Sequence, residues 1–390
     1  MNIKQLVLAS SLIAPFALLP TVSVNAAPLV SIGDNVDVFF NGSSSVRWVS
    51  NVFREENDKV DDFMLTLSPG FEINVGRGVS NADFSIITRY DILRYDDLSH
   101  LNTELFHIQA VGSYQAARLN VNGAVSFDEE QSTAGNEQVQ GRDDLIESDN
   151  VRARLMGEYR FSPKFSFGAG VRYHERKYTT FEEILADRKT TSFPLDVFYE
   201  LTPKVDLSGG YTYTYTDVDS TDTRPSYDID SHFFNVGARG NLLPKLTGFF
   251  KVGYRTRSTS GLANDTNTGM LGLDADLTYL ATPKVTTRLA LSRDFGVGGE
   301  GATTENTSVD LTARYAINSY FSSSANLGYT LRDYDSNRKD HQYIAGLRLA
   351  YTPNQYWQFS TGYTYSNNDS NLDNRSYTNH TIDLSASLRY

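Results

Sequence analysis

The feature that most constrains the fold is an alternation of apolar and polar residues that runs from about Val36 to the C-terminus. Between residues 205 and 216, Val, Leu, Gly and Tyr occupy the odd positions, and Asp, Ser, Gly and Thr occupy the even ones. A period of two is that of a β-strand whose two faces meet different environments. The segments are about 11 to 14 residues long, which exceeds the usual globular strand and matches a strand tilted across a membrane. Their polar face carries too many charges to line the core of a soluble sandwich.

Tight turns separate these segments, and long polar connections alternate with the turns. Proline fixes φ and lacks an amide donor, so it favours tight turns over the interior of a sheet. Short turns at one end and long loops at the other are typical of an outer-membrane barrel. The turn motifs are Ser162-Pro163-Lys164, Thr202-Pro203-Lys204, Leu243-Pro244-Lys245, Thr282-Pro283-Lys284 and Thr352-Pro353-Asn354, and their spacing predicts a degenerate turn at Ile317-Asn318-Ser319-Tyr320.

We therefore predict an all-β fold, a closed antiparallel transmembrane β-barrel of about 18 strands (16–18), with short periplasmic turns and long extracellular loops. Backbone groups in lipid must all be paired, so the sheet has to close on itself. A propeller is excluded because each period of about 40 residues holds two long strands rather than four short ones. The predicted strands begin near Val36, Asp62, Asp83, Glu104, Leu119, Asn150, Phe165, Thr191, Val205, Ser231, Leu246, Met270, Val285, Ser308, Phe321, His341, Trp357 and Tyr377.

The N-terminal residues have the pattern of a secretory signal peptide. Lys4 precedes an apolar stretch over residues 6–19, and a small-residue segment then ends at Ala26. We expect cleavage after Ala26, so that residues 1–26 form the signal peptide and residues 27–390 the barrel. A short membrane anchor is the weaker alternative, because the apolar stretch is too short to span a bilayer comfortably.

The C-terminal strand carries the most specific signal in the chain. Ile382, Leu384, Ala386 and Leu388 alternate with polar residues up to a final aromatic residue, Tyr390. This pattern resembles the terminal-strand signal that the barrel assembly machinery reads, although the usual last residue is Phe. An ordinary last strand of a soluble sheet is the alternative. Together with the export signal, the pattern predicts a protein of the bacterial outer membrane, surrounded by its lipid.

Composition excludes several other classes of protein. No run of residues approaches the roughly 20 apolar positions that a membrane-spanning helix needs. The absence of cysteine excludes disulfides, thiolate metal sites and a lipid-modified N-terminal cysteine. The net charge of −12 argues against a nucleic-acid partner, because a phosphate backbone repels an acidic protein. No phosphate-binding or cofactor-binding motif is present, so we expect no cofactor.

The inner face of the predicted barrel is rich in arginine once the apolar residues are assigned outward. Two interpretations are open: a ladder that guides an anionic solute or polymer, or cross-strand ion pairs that brace the wall. Bracing is favoured for most of the arginines, because acids of similar number share the same face. The candidate lumen-lining arginines are Arg89, Arg152, Arg154, Arg172, Arg239, Arg255, Arg288, Arg314, Arg332 and Arg348, with Arg47 and Arg389 on the same face.

Neither histidine nor aromatic residues indicate a catalytic or sugar-stacking site. His100 follows two aspartates and His174 precedes Glu175, but neighbours on a strand face opposite ways and neither pairing supplies a nucleophile. We therefore expect no enzymatic activity. Most aromatic residues fall on the outer face near strand ends, as in interfacial girdles. The few inner ones form no track: Phe39, Phe198, Phe249 and Tyr334.

The repeated turns and the strands after them resemble a known family. Residues 201–213, Leu-Thr-Pro-Lys followed by a strand rich in Gly and Tyr, and residues 67–71, Leu-Ser-Pro-Gly-Phe, are similar to the putative β-barrel porin 2 family. The resemblance spans most of the mature chain. It lies in the general sequence pattern and includes no catalytic or binding motif. Members are often associated with exopolysaccharide production, so the resemblance implies a role in polymer export.

The hypothesis from the sequence is a non-enzymatic outer-membrane barrel that serves exopolysaccharide or capsule export or assembly, as a conduit or an accessory. Its partners would be polysaccharide and export-system proteins. The alternative is a general diffusion porin for small hydrophilic solutes.

Overall fold

The computed structural model describes residues 27–76, 80–132, 144–262 and 266–390, and these residues are almost entirely strand. A three-residue strand, β1 (Val30–Ile32), and a short 3-10 helix, Ser99–Leu101, are the small elements. In the part of the chain so described, no helix is long and apolar enough to cross a membrane. The long strands are β2 (Val36–Val49), β3 (Asp62–Val75), β4 (Ala82–Tyr95), β5 (Thr103–Gln115), β6 (Leu119–Ser132), β7 (Ile146–Arg160), β8 (Phe165–Tyr178), β9 (Arg188–Thr202), β10 (Val205–Val218), β11 (Tyr227–Leu243), β12 (Leu246–Ser260), β13 (Thr266–Thr282), β14 (Val285–Val297), β15 (Thr303–Ala316), β16 (Phe321–Tyr334), β17 (Lys339–Tyr351), β18 (Trp357–Ser370) and β19 (Tyr377–Arg389).

The eighteen long strands form one closed antiparallel sheet. Each strand from β2 to β18 pairs with the next one, and β19 returns to pair with β2, from Thr381 opposite Val49 to Arg389 opposite Asn41. Closure leaves no sheet edge unpaired, which is the condition for a β-structure in lipid. The prediction of a closed barrel of 18 strands is confirmed. The additional strand β1 forms a small hairpin on β2, and it is too short to produce an alternation in the sequence.

Five of the short turns share one hydrogen-bonded design, in which the acceptor is the side chain of Ser162, Thr202, Thr282, Asn318 or Asn354. The hydroxyl of Thr202 accepts the amides of Lys204 and Val205, at 3.3 and 3.1 Å. A side-chain acceptor at the start of the turn thus satisfies two amides that the ladder leaves free. At the predicted degenerate turn, the Asn318 side chain takes this role and accepts the amides of Tyr320 and Phe321 at 2.8 Å each. Asparagine therefore replaces the Thr-Pro pair without changing the turn.

The strand starts predicted after short turns agree with the structure, whereas several of those predicted after long loops come too late. Strands β8, β10 and β12 begin at the predicted residues. By contrast, β7 begins at Ile146 rather than Asn150, and β15 begins at Thr303 rather than Ser308. The loop-side ends are polar on both faces, so the alternation stops before the hydrogen-bonded ladder does.

The outer face of the barrel is apolar and exposed. Leu347 is 64% exposed and Leu271 is 59% exposed, and large apolar side chains cover this face over most strands. A soluble protein would not expose a continuous apolar band of this extent. Lipid is the environment that such a surface requires.

Candidate functional site

The candidate site is the lumen, which is lined by the inward side chains of the long strands. Leu155 lies exposed on the outer face, and its neighbour Arg154 points inward, opposite Arg172 of β8. The strand register places all the candidate arginines on this inner face: Arg89, Arg152, Arg154, Arg172, Arg239, Arg255, Arg288, Arg314, Arg332 and Arg348.

Six of these ten arginines bind a carboxylate on the inner wall. Five of the six pairs join two different strands, and in the sixth, within β4, Asp91 also lies 3.1 Å from His107 of β5. A hydrogen-bonded ion pair between strands ties their side chains together in one geometry. The larger share of the inner arginines therefore braces the wall. The pairs are Arg89 with Asp91 at 2.9 Å, Arg152 with Asp128 at 3.0 Å, Arg239 with Glu158 at 2.6 Å, Arg255 with Asp294 at 3.0 Å, Arg288 with Asp276 at 2.8 Å and Arg348 with Asp383 at 3.1 Å.

The other four arginines differ from these. Within residues 27–76, 80–132, 144–262 and 266–390, Arg154, Arg314 and Arg332 form no ion pair. Arg172 has interaction partners of its own and lies within range of the charge of Asp274. The side chains of Arg154, Arg314 and Arg332 keep charge that is available to a solute.

Some ion pairs skip a strand and pass over a glycine. Arg255 on β12 reaches Asp294 on β14, and Gly272 lies between them on β13. A Cβ atom at Gly272 would lie 2.6 Å from Cγ of Arg255, which is well inside van der Waals contact. The missing side chain of glycine is therefore what lets the arginine cross the intervening strand. A second set of this kind consists of Arg348, Gly362 and Asp383.

A histidine that the sequence analysis did not single out is the centre of a charged network. Both ring nitrogens of His107 lie 3.1 Å from a carboxylate oxygen, one of Asp91 and one of Asp128. Arg89 and Arg152 bind the same two aspartates. His107 is thus surrounded by charge partners. Only the pairing of β4, β5, β6 and β7 brings these residues together, and that register is not readable from one strand.

The histidine pairings considered in the sequence do not form a catalytic arrangement. His174 points into the lumen, while Glu175 faces outward and accepts a hydrogen bond from the Tyr173 hydroxyl at 2.8 Å. His100 lies in the 3-10 helix of a loop. Among the described residues, no group of three or more His, Asp or Glu side chains could hold a metal ion.

Three of the inner aromatic residues are covered rather than open to the lumen, whereas Phe249 is half-buried. Phe39, Phe198 and Phe233 are buried, and a guanidinium group stacks on each ring. A covered ring cannot serve as a platform for a sugar. Phe233 was not among the inner aromatics named from the sequence. The distances from the guanidinium carbon to the ring centroid are 3.8 Å for Arg389 over Phe39, 3.5 Å for Arg239 over Phe198 and 3.7 Å for Arg255 over Phe233.

The long loops contact one another across the mouth of the barrel. The loop between β14 and β15 holds Gly299, whose carbonyl accepts the amide of Ala186 at 2.8 Å. Arg224 and the Tyr227 hydroxyl both donate to the carbonyl of Gly301 in the same loop. These contacts join segments that lie three or more strands apart in the sheet. The loops therefore cover part of the opening.

A buried cluster supports the loop between β8 and β9. Ile146, Tyr178 and Leu185 pack together and are almost fully buried. The carboxylate of Asp187 accepts the amide of Tyr178 at 2.7 Å, and burial raises the pKa of Asp187 above its ordinary value. This end of the lumen thus has its own small core, which holds the loops in place.

The outer aromatic residues point their hydroxyl groups toward the long-loop end. Tyr211 hydrogen-bonds to His232 at 2.8 Å. His232 lies two residues nearer the loops than Phe234, the residue directly opposite Tyr211, and the other partners have the same offset. An aromatic ring in lipid with its polar end toward water is the arrangement of an interfacial girdle. The other pairs are Tyr329 with His341 at 2.9 Å, Tyr363 with His380 at 2.9 Å and Tyr90 with Glu104 at 2.9 Å.

The C-terminal residues lie where β19 pairs with β2 and closes the barrel. Ile382 and Leu384 are exposed on the outer face. The amide of Tyr390 donates to the carbonyl of Phe40 at 2.9 Å, and the Tyr390 ring packs against that of Tyr356. Recognition of Ile382, Leu384, Leu388 and Tyr390 by the assembly machinery stays a prediction. The predicted cleavage site at Ala26 lies outside the described residues.

A closed sheet with an apolar outer face and a charged lumen defines an outer-membrane β-barrel protein. The protein lies in the lipid of the bacterial outer membrane. Residues 41–390 match the family model described as Putative beta-barrel porin 2, and the chain belongs to this family. The short turns then face the periplasm and the long loops face the exterior.

Solved outer-membrane proteins are similar in fold at low sequence identity. OpdK of Pseudomonas aeruginosa, solved with vanillate, is 11% identical, with 91% of this chain and 99% of that chain covered and a TM-score of 0.46. The FrpB iron transporter from Neisseria meningitidis is 9% identical over 91% of this chain and 81% of that chain, with a TM-score of 0.49. A bacterial polysaccharide outer membrane secretin is 11% identical over 90% and 98%, with a TM-score of 0.39. No curated protein matches the sequence.

Proposed function

We propose that this barrel serves the export or assembly of an exopolysaccharide or capsule, as a conduit or an accessory, and that it is not an enzyme. The observation that carries the proposal is the charged inner wall. Within the described residues, some of its arginines at mid-barrel form no ion pair. Eighteen strands enclose a lumen wide enough to hold water, and a wet, positively charged path suits an acidic polymer. Membership of a family often associated with exopolysaccharide systems supports the same role.

Deletion of the gene tests the proposal, with polymer in the medium as the readout. We expect secretion to fall and to return on complementation with the wild-type chain. Normal secretion by the deletion strain would overturn the role in polymer export.

Two substitutions separate a conduit from an accessory. Ser192→Trp adds bulk to the inner face of β9, and Leu195→Trp adds the same bulk to its outer face. If the polymer passes through the lumen, only Ser192→Trp lowers secretion, with equal amounts of folded barrel in the membrane. Equal secretion by both variants excludes the conduit and leaves the accessory role.

A general diffusion porin is the second candidate, and the covered mouth favours it. Loops that contact one another over the opening narrow it, so that a small solute passes more easily than a polymer chain. Conductance in planar bilayers tests this function: open channels that common sugars or small anions block would support the porin. A barrel without conductance would contradict it.

The chain ends carry two further proposals. Residues 1–26 direct export and are removed after Ala26, and the C-terminal residues Ile382, Leu384, Leu388 and Tyr390 are read by the barrel assembly machinery. Mass spectrometry of the purified protein tests the first proposal through the mass of the mature chain. Removal of Tyr390 tests the second, because assembly into the outer membrane should fall while export to the periplasm continues.

A further inference from the structure

The loop between β14 and β15, residues 298–302, lies at the mouth of the barrel, and we call it the mouth loop. The tip of a hairpin normally lies exposed at the surface of a protein. Here Gly299 and Gly301 are buried, and Ala302 is only 5% exposed. Other parts of the protein therefore cover the tip of this loop.

Some of the contacts that bury the mouth loop come from distant strands. Arg188, at the start of β9, donates to the carbonyls of Val297 and Gly298 at 3.0 and 3.3 Å. Arg224, in the loop before β11, donates to the carbonyl of Gly301 at 3.0 Å. Strands β9 and β11 lie five and three strands away from β14 in the sheet. The mouth loop therefore leans inward over the lumen instead of standing above its own hairpin.

Further contacts come from the opposite direction around the barrel. Glu300 lies 3.9 Å from Arg375, in the loop between β18 and β19. A Cβ atom at Gly298 would lie 3.1 Å from a ring carbon of Tyr334, at the end of β16. These strands follow β15 in the sheet, whereas β9 and β11 precede β14. The mouth loop is therefore held from both sides.

Inner side chains near the mouth are buried, although the lumen lies beside them. Thr304 is 2% exposed, and Tyr334 and Asp340 are 5% and 1% exposed. Nearer the short turns, the side chain of Arg288 is 43% exposed and Ile87 is 38% exposed. The described part of the inner wall is thus covered at the exterior end and open to solvent further down.

The mouth loop is fastened mainly by hydrogen bonds, and its backbone can adopt other conformations. Exchanging such a bond for one with water costs little free energy. Gly301 has a φ of +72°, and glycine tolerates this region of φ and the ordinary regions alike. A segment that is held in this way opens at a lower free energy than the sheet that carries it.

We infer that the mouth loop is a gate, which closes the exterior end of the lumen and moves aside to open it. Arg188 and Arg224 hold the closed position, because they donate to carbonyls at both ends of the loop. Local opening of a loop is a common way to control access to an enclosed path. The inference rests on the function proposed above only in treating the lumen as a path, and it applies to a polymer and to a small solute alike.

Conductance of the purified full-length barrel in planar bilayers tests the gate by releasing it. Arg188→Ala combined with Arg224→Ala removes three hydrogen bonds to the mouth loop. We expect the ratio of open to closed time to rise at least about tenfold. Lys189→Ala combined with Lys339→Ala is the matched control, because both lysines lie on the outer face at the loop-side ends of their strands.

A disulfide tests the same gate by locking it. The chain has no cysteine, and a Cβ atom at Gly301 would lie 3.3 Å from Cβ of Ala186, near the spacing of a disulfide. We expect the oxidised variant with Ala186→Cys and Gly301→Cys to open at least about tenfold less often than its reduced form. Gly301→Cys alone is the control for the strain of a side chain at this φ, and dithiothreitol should not change its opening.

An unchanged ratio of open to closed time in the Arg188→Ala, Arg224→Ala variant, or an equal rise in the lysine control, would overturn the gate. A larger current through each open channel at an unchanged ratio would also overturn it, because that result indicates a wider pore. The same holds for a locked variant that opens as often as its reduced form, and the release variant decides alone if the disulfide does not form. Circular dichroism verifies that each variant is folded. Conductance does not depend on secretion, so failure of the gate and failure of the export role are distinguishable.

Discussion

At the scale of single residues, glycine and arginine act together on the inner wall. An arginine side chain is long enough to pass over one strand, but only if that strand has no side chain beneath it. Gly272 meets this condition for the pair of Arg255 and Asp294. Inner charges are therefore organised across three strands at a time, which local cross-strand pairing alone does not provide.

Gly272→Ala tests this arrangement. The new Cβ atom would lie 2.6 Å from Arg255, so the ion pair or the strand must shift. We expect a loss of about 1–3 kcal/mol in the free energy of unfolding, measured by urea unfolding in lipid vesicles. Gly209→Ala is the control, since nothing lies within 4 Å of a Cβ atom there. A similar loss in both variants would contradict the role of Gly272.

At the scale of the strand, alternation decides which side chains meet lipid and which meet water. Alternation begins directly after the short turns, so those strand starts are readable from the sequence. The loop-side ends are not, because both faces are polar there. The inward direction of the arginines follows from the same period. The contacts between inner side chains do not follow from this period. His107 contacts Asp91 and Asp128 only because three strands pair in one register.

A pair of neighbouring substitutions in β14 tests the two faces. Leu289→Arg places a charge on the outer face and should cost about 2–4 kcal/mol if the residue lies near mid-bilayer. Ala290→Arg places the same charge on the inner face, opposite Asp276 and Asp310, and should cost little. The free energy of unfolding in lipid vesicles is the readout. Equal costs would mean that the faces of β14 do not meet different environments.

At the scale of the whole molecule, the net charge of −12 and the inner arginines belong to different surfaces. Acidic residues are frequent in the long loops and at the loop-side strand ends, whereas the arginines face the lumen. An anion thus meets repulsion at the exterior and attraction inside the barrel.

The central claim is that the lumen is wet and attracts anions through the arginines of its inner wall, and single-cysteine labelling in lipid vesicles tests it most directly. The chain has no cysteine, so Ser192→Cys introduces the only thiol. We predict that an anionic methanethiosulfonate reagent modifies the Ser192→Cys variant about tenfold faster than a cationic one, because local potential raises the concentration of the opposite charge. The outward Leu195→Cys variant should react with neither. Equal rates for the two reagents at position 192, or modification at position 195, would contradict the claim.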